Sequence, residues 1–263
     1  MKDTQRTAAW QLEVYKYSFK KKDKLSQIFK HLTLQGDEVV LDIGCANGIL
    51  AHHLQGQVGQ LHCLEPNQEY LEEAQKIIKQ AKFYNGTAEN LPFPDNHFDM
   101  IFMLDVLYYT DEKKTIEEMK RVLKPGGTLI LTVPYLRPTL SLRFVKQKMG
   151  VDLFHEGGKR EGYDQKLINR LFAAKSWEVA KTAYHSLFFI ELVESVLNSM
   201  RGKKEISKQT SVAEKNISNS SSFKRYKKLY GLLTPLFVLD NILRGMGVKG
   251  HGSIFFIKKR TNE

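Results

Sequence analysis

Cysteine is nearly absent, with only Cys45 and Cys63 in 263 residues. Both lie in apolar stretches, so buried reduced thiols are expected and a disulfide framework is excluded by count. Long apolar runs are missing too. No segment reaches the roughly 18 consecutive apolar residues that a membrane-crossing helix needs. The segment Met1 to Lys24 is polar and lysine-rich, without the apolar stretch of a secretory leader, and a cytoplasmic location is expected. Acidic residues are in deficit: 29 Asp and Glu against 40 Lys and Arg leave a net charge of +11. Such a surface either favours acidic partners (nucleic acid, anionic lipid, phosphorylated substrates) or is simply solvated. Apolar residues at 42% and charged residues at 26% are ordinary for a soluble globular chain. The length allows one α/β domain with room for an insertion or cap.

What is present is an alternation. A helix with Leu25, Ile28, Phe29 and Leu32 on one face leads through Gln35-Gly36-Asp37 into the apolar run Val39-Val40-Leu41. That run reads as a strand buried on both faces. A short helix at Ile49–Leu54 follows, then a strand at Leu61–Leu64. Pro66 and Asn67 open a helix carrying Tyr70, Leu71, Ala74, Ile77 and Ile78. Strands are expected at Lys82–Tyr84, Phe98–Leu104 and Thr128–Val133. The helix Glu112–Leu123 is stopped by Lys124-Pro125-Gly126-Gly127. Strands alternating with helices predict a parallel, doubly wound sheet with its site beyond the carboxyl ends of the strands. Beyond Pro134 the chain turns irregular and basic to Tyr163. A helix (Gln165–Ala174), a strand (Trp177–Tyr184) and a last strand within Gly252–Lys258 complete the pattern. The predicted organisation is an N-terminal helical segment (1–36), a binding domain (37–186), a helical insertion (187–250, with a polar linker over 201–222) and a last strand with tail (251–263).

The segment Val39-Val40-Leu41-Asp42-Ile43-Gly44-Cys45-Ala46-Asn47-Gly48 places an acid and a glycine-bearing turn at the end of a buried strand. Glycines there let the backbone turn sharply and a ligand approach closely. The fold reading alone leaves NAD, FAD and S-adenosylmethionine open. The spacing is G-x-x-x-G, not the dinucleotide G-x-G-x-x-G. Asp42 would repel a pyrophosphate but suits a cationic ligand with an amino group and a sulfonium. Glu65, ending the second strand, can accept from both hydroxyls of an adenosine ribose.

These residues, Asp42-Ile43-Gly44-Cys45-Ala46-Asn47-Gly48 and Leu64-Glu65-Pro66, resemble the first two motifs of the class I methyltransferases. The stretch from Gly86 to Asp99 (Gly-Thr-Ala-Glu-Asn-Leu-Pro-Phe-Pro-Asp-Asn-His-Phe-Asp) resembles the next segment of the type 11 branch. Arg121-Val122-Leu123-Lys124-Pro125-Gly126-Gly127 resembles its last common motif. The resemblance implies a Rossmann-like, mostly parallel sheet with an antiparallel last strand and a helical insertion before it. It also implies S-adenosylmethionine as cofactor and no metal. Asp42, Gly44 and Gly48 would hold the methionine end and Glu65 the ribose, with Cys45 also among the cofactor-binding residues. Ala88 and Glu89 would lie beside the adenine, although Glu89 reads equally well as an exposed acid at a helix start. Leu104 and Asp105 would face the sulfonium and methyl group. Arg121 to Gly127 and Asp99 are expected to be structural.

For the acceptor side, Asp105 is a candidate proton acceptor, with cofactor contact or helix capping as the equal alternative. Tyr108, Tyr109 and Tyr163 are candidates for the pocket wall, and one of the pair Tyr108 and Tyr109 could belong to the core. His155 is the second catalytic candidate. The run His155 to Tyr163 is similar to a His-x-Gly-His-x-Arg-x-Tyr loop of type 11 members associated with surface polysaccharide or lipid gene sets, with Gly158 where those carry a second histidine. In the insertion, Leu187 to Met200 and Leu229 to Leu243 form apolar stripes, and most of the surplus basic residues crowd around them. A cap over the site is the favoured reading. Contact with an anionic membrane surface through 187–247 follows closely. Nucleic acid is disfavoured because aromatics are not interleaved with the basic residues. A small-molecule or lipid-linked acceptor methylated on O or N leads, ahead of an RNA or protein methyltransferase and of a non-catalytic cofactor-binding scaffold. Oligomeric state is not legible.

Overall fold

The computed structural model describes residues 8–148, 158–173, 176–205, 228 and 230–261. Seven strands form one sheet: β1 (Val39–Ile43), β2 (Gln60–Glu65), β3 (Lys82–Asn85), β4 (Phe98–Leu104), β5 (Leu123–Pro134), β6 (Trp177–His185) and β7 (Gly252–Lys259). Their order is β3-β2-β1-β4-β5-β7-β6. The first five are parallel neighbours, and β7 runs antiparallel to both β5 and β6. The sequence therefore folds as the Rossmann-like pattern implied, with the last strand inserted into the sheet instead of added at its edge.

Period-two side-chain alternation explains the burial. Leu41, Ile43, Ile101, Met103, Leu129, Leu131, Phe255 and Ile257 face one core. Val40, Cys63, Met100, Phe102, Ile130, Ile254 and Phe256 face the other. Apolar residues are needed at every position because helices cover both faces. The covering helices are α1 (Ala8–Lys16), α2 (Phe19–Lys30), α3 (Ile49–Leu54), α4 (Gln68–Ile77), α5 (Glu112–Val122), α6 (Arg143–Lys148), α7 (Gln165–Leu171), α8 (Phe188–Glu205) and α9 (Leu236–Gly245). At the amino end of the sheet Asp99 accepts from the Val39 amide (2.9 Å) and pairs with Lys124 (2.8 Å). The Arg121 guanidinium holds the carbonyls of Leu91 and Phe93 and the Glu118 carboxylate. Both residues hold the scaffold at this end.

Two boundaries differ from expectation. Strand β5 starts at Leu123, because Leu123 pairs with Phe98 before the glycine turn shifts the register. Helix α8 continues through Arg201–Glu205, which the sequence reading gave to the linker. The remainder of that linker, 206–222, lies outside the described residues. Helices α8 and α9 pack together, and the Asp240 carboxylate of α9 accepts from the amides of Phe189 (3.0 Å) and Ile190 (2.7 Å) in the first turn of α8. One helix thus caps the other across roughly fifty residues of sequence.

Candidate functional site at the carboxyl edge of the sheet

The turn after β1 is shaped by its backbone. Gly44 has φ 72° and Gly48 has φ 78°. A Cβ on Gly44 would run into the Val106 side chain, and one on Gly48 would crowd Ile78 at 3.1 Å. Glycine is therefore required twice over, by conformation and by space. The amides of Gly44 (2.8 Å) and Cys45 (3.1 Å) both donate to the Leu64 carbonyl, which binds the turn to the end of β2. Ala46 sits at φ 45°, in the left-handed region, and its amide donates to Glu65 Oε2 at 2.9 Å. The other oxygen, Oε1, accepts from the Asn67 amide at 3.0 Å. Glu65 thus ties the glycine turn to the start of α4, where Asn67 caps the helix through the Tyr70 amide.

Asp42 lies beneath this turn, 3% exposed, and its Oδ2 has no hydrogen-bond partner among the described residues. Burial, with the Glu65 carboxylate adding to it, pushes the Asp42 carboxyl up to about 7. Burial also raises Glu65, against the opposing effect of the two amides it accepts from. Among the described residues, no cation pairs with either acid of the cradle. Cys45 is buried, and its thiol, beside Cys63 and desolvated, is driven well above the ordinary range, so it contributes shape and no charge. Ala88 is buried in the core beyond β3, and Leu104 is half-buried at the tip of β4. Glu89 accepts from the Asp111 amide at 2.9 Å, which anchors the start of α5 to this rim.

Asp105 follows β4 with φ 60°, a left-handed conformation that a non-glycine residue holds only when its surroundings enforce it. Here the Asp105 amide donates to the Thr132 carbonyl (3.0 Å), Thr132 Oγ1 donates to Asp105 Oδ1 (3.0 Å), and Lys24 of α2 pairs with Oδ2. Burial would raise its carboxyl, but Lys24 and the Thr132 hydroxyl outweigh burial and hold it far below the usual carboxylate range. A carboxylate held so firmly ionised orients and stabilises positive charge; it is a poor proton acceptor.

Around it stands a polar cluster that no local motif announced. His185, at the end of β6, is 2% exposed and bonds Ser186 Oγ through Nδ1 at 2.8 Å. Burial, then Lys24, lowers it to about 3, so it is neutral. His251, just before β7, accepts from the Leu142 amide through Nε2 (3.3 Å) and faces the Ser186 carbonyl with Nδ1 (3.2 Å), which places the proton on Nδ1. Glu191 of α8 is paired with Lys20 (3.2 Å) and with Lys146. Burial raises Glu191 and the two lysines lower it more, to about 2. Lys20 and Lys24 are one turn apart on one face of α2, the single sequence signal that could have found this group. His185 and His251 meet only because β6 and β7 pair antiparallel.

The tyrosines divide. Tyr109 is 43% exposed on the rim, whereas Tyr108 is core. Tyr163 does not line a pocket: it is fully buried, its hydroxyl donates to Glu112 Oε1 at 2.6 Å, and Arg160 packs over its ring. Its role is to staple the segment before α7 onto α5. His155 lies outside the described residues.

Residues 41–131 match the family described as "Methyltransferase domain". The ubiquinone/menaquinone biosynthesis C-methyltransferase UbiE of Psychromonas ingrahamii is 35% identical over 102 residues, covering 35% of this chain and 41% of that protein. The uncharacterized methyltransferase YcgJ of Bacillus subtilis is 31% identical over 123 residues, 44% of this chain and 49% of its own. The chain thus spans less than half the length of these relatives. Phosphoethanolamine N-methyltransferase 2 of Haemonchus contortus, solved with S-adenosyl-L-methionine, superposes with TM-score 0.60 at 18% identity, over 98% of this chain and 58% of that one. A putative methyltransferase of Bacillus halodurans gives TM-score 0.57 at 18% identity over 90% and 99%. At such identities the two structures speak for the fold.

Proposed function

We propose, from the match of residues 41–131 to a methyltransferase domain, that this chain is an S-adenosylmethionine-dependent methyltransferase acting on an O or N atom of a small-molecule or lipid- or glycan-linked acceptor. The observation that carries the reading is the unneutralised pair Asp42 and Glu65 around a turn that excludes side chains at Gly44 and Gly48. A cationic ligand relieves that pair, whereas a pyrophosphate aggravates it. When bound, the cofactor supplies a methyl group already activated on a sulfonium.

The protein's own task is then placement and exclusion of water. Asp42 receives the cationic end of the ligand, and Glu65 offers its remaining lone pairs to hydroxyls while holding Ala46 and Asn67. Asp105, fixed by Lys24 and Thr132, presents negative charge at the tip of β4. Helix α2 closes this edge through Lys20 and Lys24. His185, buried and neutral at about 3, holds this edge through Ser186 and is no base for a hydroxyl or ammonium acceptor.

Titration calorimetry with S-adenosylmethionine tests the first step. Wild-type protein is expected to bind, and Glu65→Ala to bind at least about tenfold more weakly, since a buried charge-assisted acceptor is lost. No binding by the wild type would refute the proposal. The acceptor is sought by mass spectrometry of cell lipids and glycans with and without the protein, reading for the added mass of one CH2.

A further inference from the structure

Helix α9 is apolar on two sides. Its inner side (Leu233, just before the helix, with Leu236 and Phe237) packs against Val193 of α8, while Asp240 and Arg244 make the buried polar contacts with α8 and Asp23. Its outer side should then be polar, as on any surface helix. Instead it presents Val238, Leu239, Ile242 and Met246, in line with Leu232 in the turn before it. Exposure runs from 41% at Leu239 to 75% at Leu232. The chain after α9 is hydrogen-bonded to the segment after β5, with Thr139 N to Lys249 O at 3.1 Å and Lys249 N to Thr139 Oγ1 at 3.0 Å. That neighbouring segment carries a second exposed apolar group, Leu136, Leu140, Phe144 and Val145. Exposed apolar groups of this size on a protein exterior mark a contact site.

The charges beside it are mostly basic. Arg137, Arg143, Lys148, Lys228 and Lys249 are exposed around the two groups, and the acids near them, Asp164 and Glu161, each face an arginine already. In sequence the run 201–228, leading directly into this helical region, holds nine Lys or Arg and two Glu, a net +7 of the whole chain's +11. Among the described residues no helix is long and apolar enough to cross a bilayer. An apolar stripe in the plane of the surface with a basic surround matches the requirements of a helix lying at a lipid headgroup boundary.

We propose that the outer face of α9, together with Leu136 to Val145, docks on an anionic membrane surface, apolar side chains entering the headgroup layer and the basic surround pairing with lipid charge. Helices α6, α8 and α9 lie at the carboxyl edge of the sheet, so docking brings that edge to the lipid. The inference rests on this surface alone and is independent of the methyl-transfer reading.

The test is co-sedimentation with vesicles of phosphatidylcholine alone and of phosphatidylcholine with phosphatidylglycerol, without cofactor. The full chain should partition onto the anionic vesicles, less onto the neutral ones, and less again as salt rises. The triple variant Val238→Ser, Ile242→Ser, Met246→Ser changes only exposed side chains and should keep the wild-type circular dichroism and melting temperature. Its partition onto anionic vesicles should fall at least about tenfold. Equal partition of the triple variant and the wild type overturns the proposal, as does no partition at either composition. Concentration-dependent dimerisation that the triple variant abolishes, without vesicle binding, overturns it in favour of a second copy of the chain.

Discussion

Asp42 and His62 show what single buried polar residues cost this protein and what each is for. Asp42 is raised from 3.8 to about 7, so the folded state keeps its proton where the unfolded chain has lost it. Stability from this residue therefore falls as pH rises through that window and is lowest above it. Asp42→Asn should melt higher than wild type at about pH 8, with the gain vanishing near pH 4, while its affinity for S-adenosylmethionine drops at least about tenfold. Scanning fluorimetry and calorimetry read the two effects, and a lower melting temperature at pH 8 would show that Asp42 is neutralised in the empty protein. His62, by contrast, sits in an aromatic nest, stacked on Tyr84 at 5.6 Å with Phe98 edge-on at 5.4 Å. Both its nitrogens are buried without hydrogen-bond partners among the described residues, and burial, then Lys82, lowers it to about 4. The unfolded chain takes up a proton below about 6.5 that the folded ring refuses. His62→Phe is expected to gain ~1–2 kcal/mol by urea unfolding, more at pH 5 than at pH 8.

At the scale of elements, the helical cap is held by polar contacts across long sequence separations. Asp240 satisfies two amides of α8, and Asp23 of α2 accepts from Arg244 at 2.7 Å and from the Ser186 amide at 2.8 Å. Removing Asp240 leaves two amides without an acceptor in a site that water cannot reach. Asp240→Ala should cost ~2–3 kcal/mol, and Asp240→Asn, which keeps one acceptor oxygen, about half as much. Equal losses in chemical denaturation would mean that charge rather than hydrogen bonding holds the cap. The apolar stripes of α8 and α9 were readable in the sequence as cap or membrane contact. The structure separates the roles by face: the inner sides cap, and the outer side of α9 is left over.

Across the whole molecule, Glu191 links α8 to α2 and α6 through Lys20 and Lys146. Its carboxyl is held at about 2 against an ordinary 4.5, so its contribution is complete above 4.5 and disappears as pH falls toward 2. Glu191→Gln should be less stable by ~3 kcal/mol at pH 7, because two lysines lose their counter-charge. The difference should close in acid, and urea unfolding at about pH 7 and pH 3 measures it. A gap that stays constant with pH would assign the loss to packing. The stakes are not local. These ion pairs join the N-terminal helices, the strand tips and the insertion into one body over the candidate site.

The sequence by itself determined the alternation of strands and helices, the parallel sheet it implies, and the glycine turn with its two acids. Those features are local: a buried strand must be apolar on both faces, and a turn that admits no Cβ must be glycine. Asp42, Gly44, Gly48 and Glu65 are accordingly written within two short segments. Only the tertiary structure decided the rest. It put β7 between β5 and β6, brought His185 beside His251, and set Lys24 on Asp105. It moved Tyr163 from an expected pocket wall to the core, where its hydroxyl meets Glu112. Each of these depends on a partner more than forty residues away, and no spacing along the chain encodes which of several acids a lysine will meet. That choice belongs to packing, which fixes distance, burial and therefore charge.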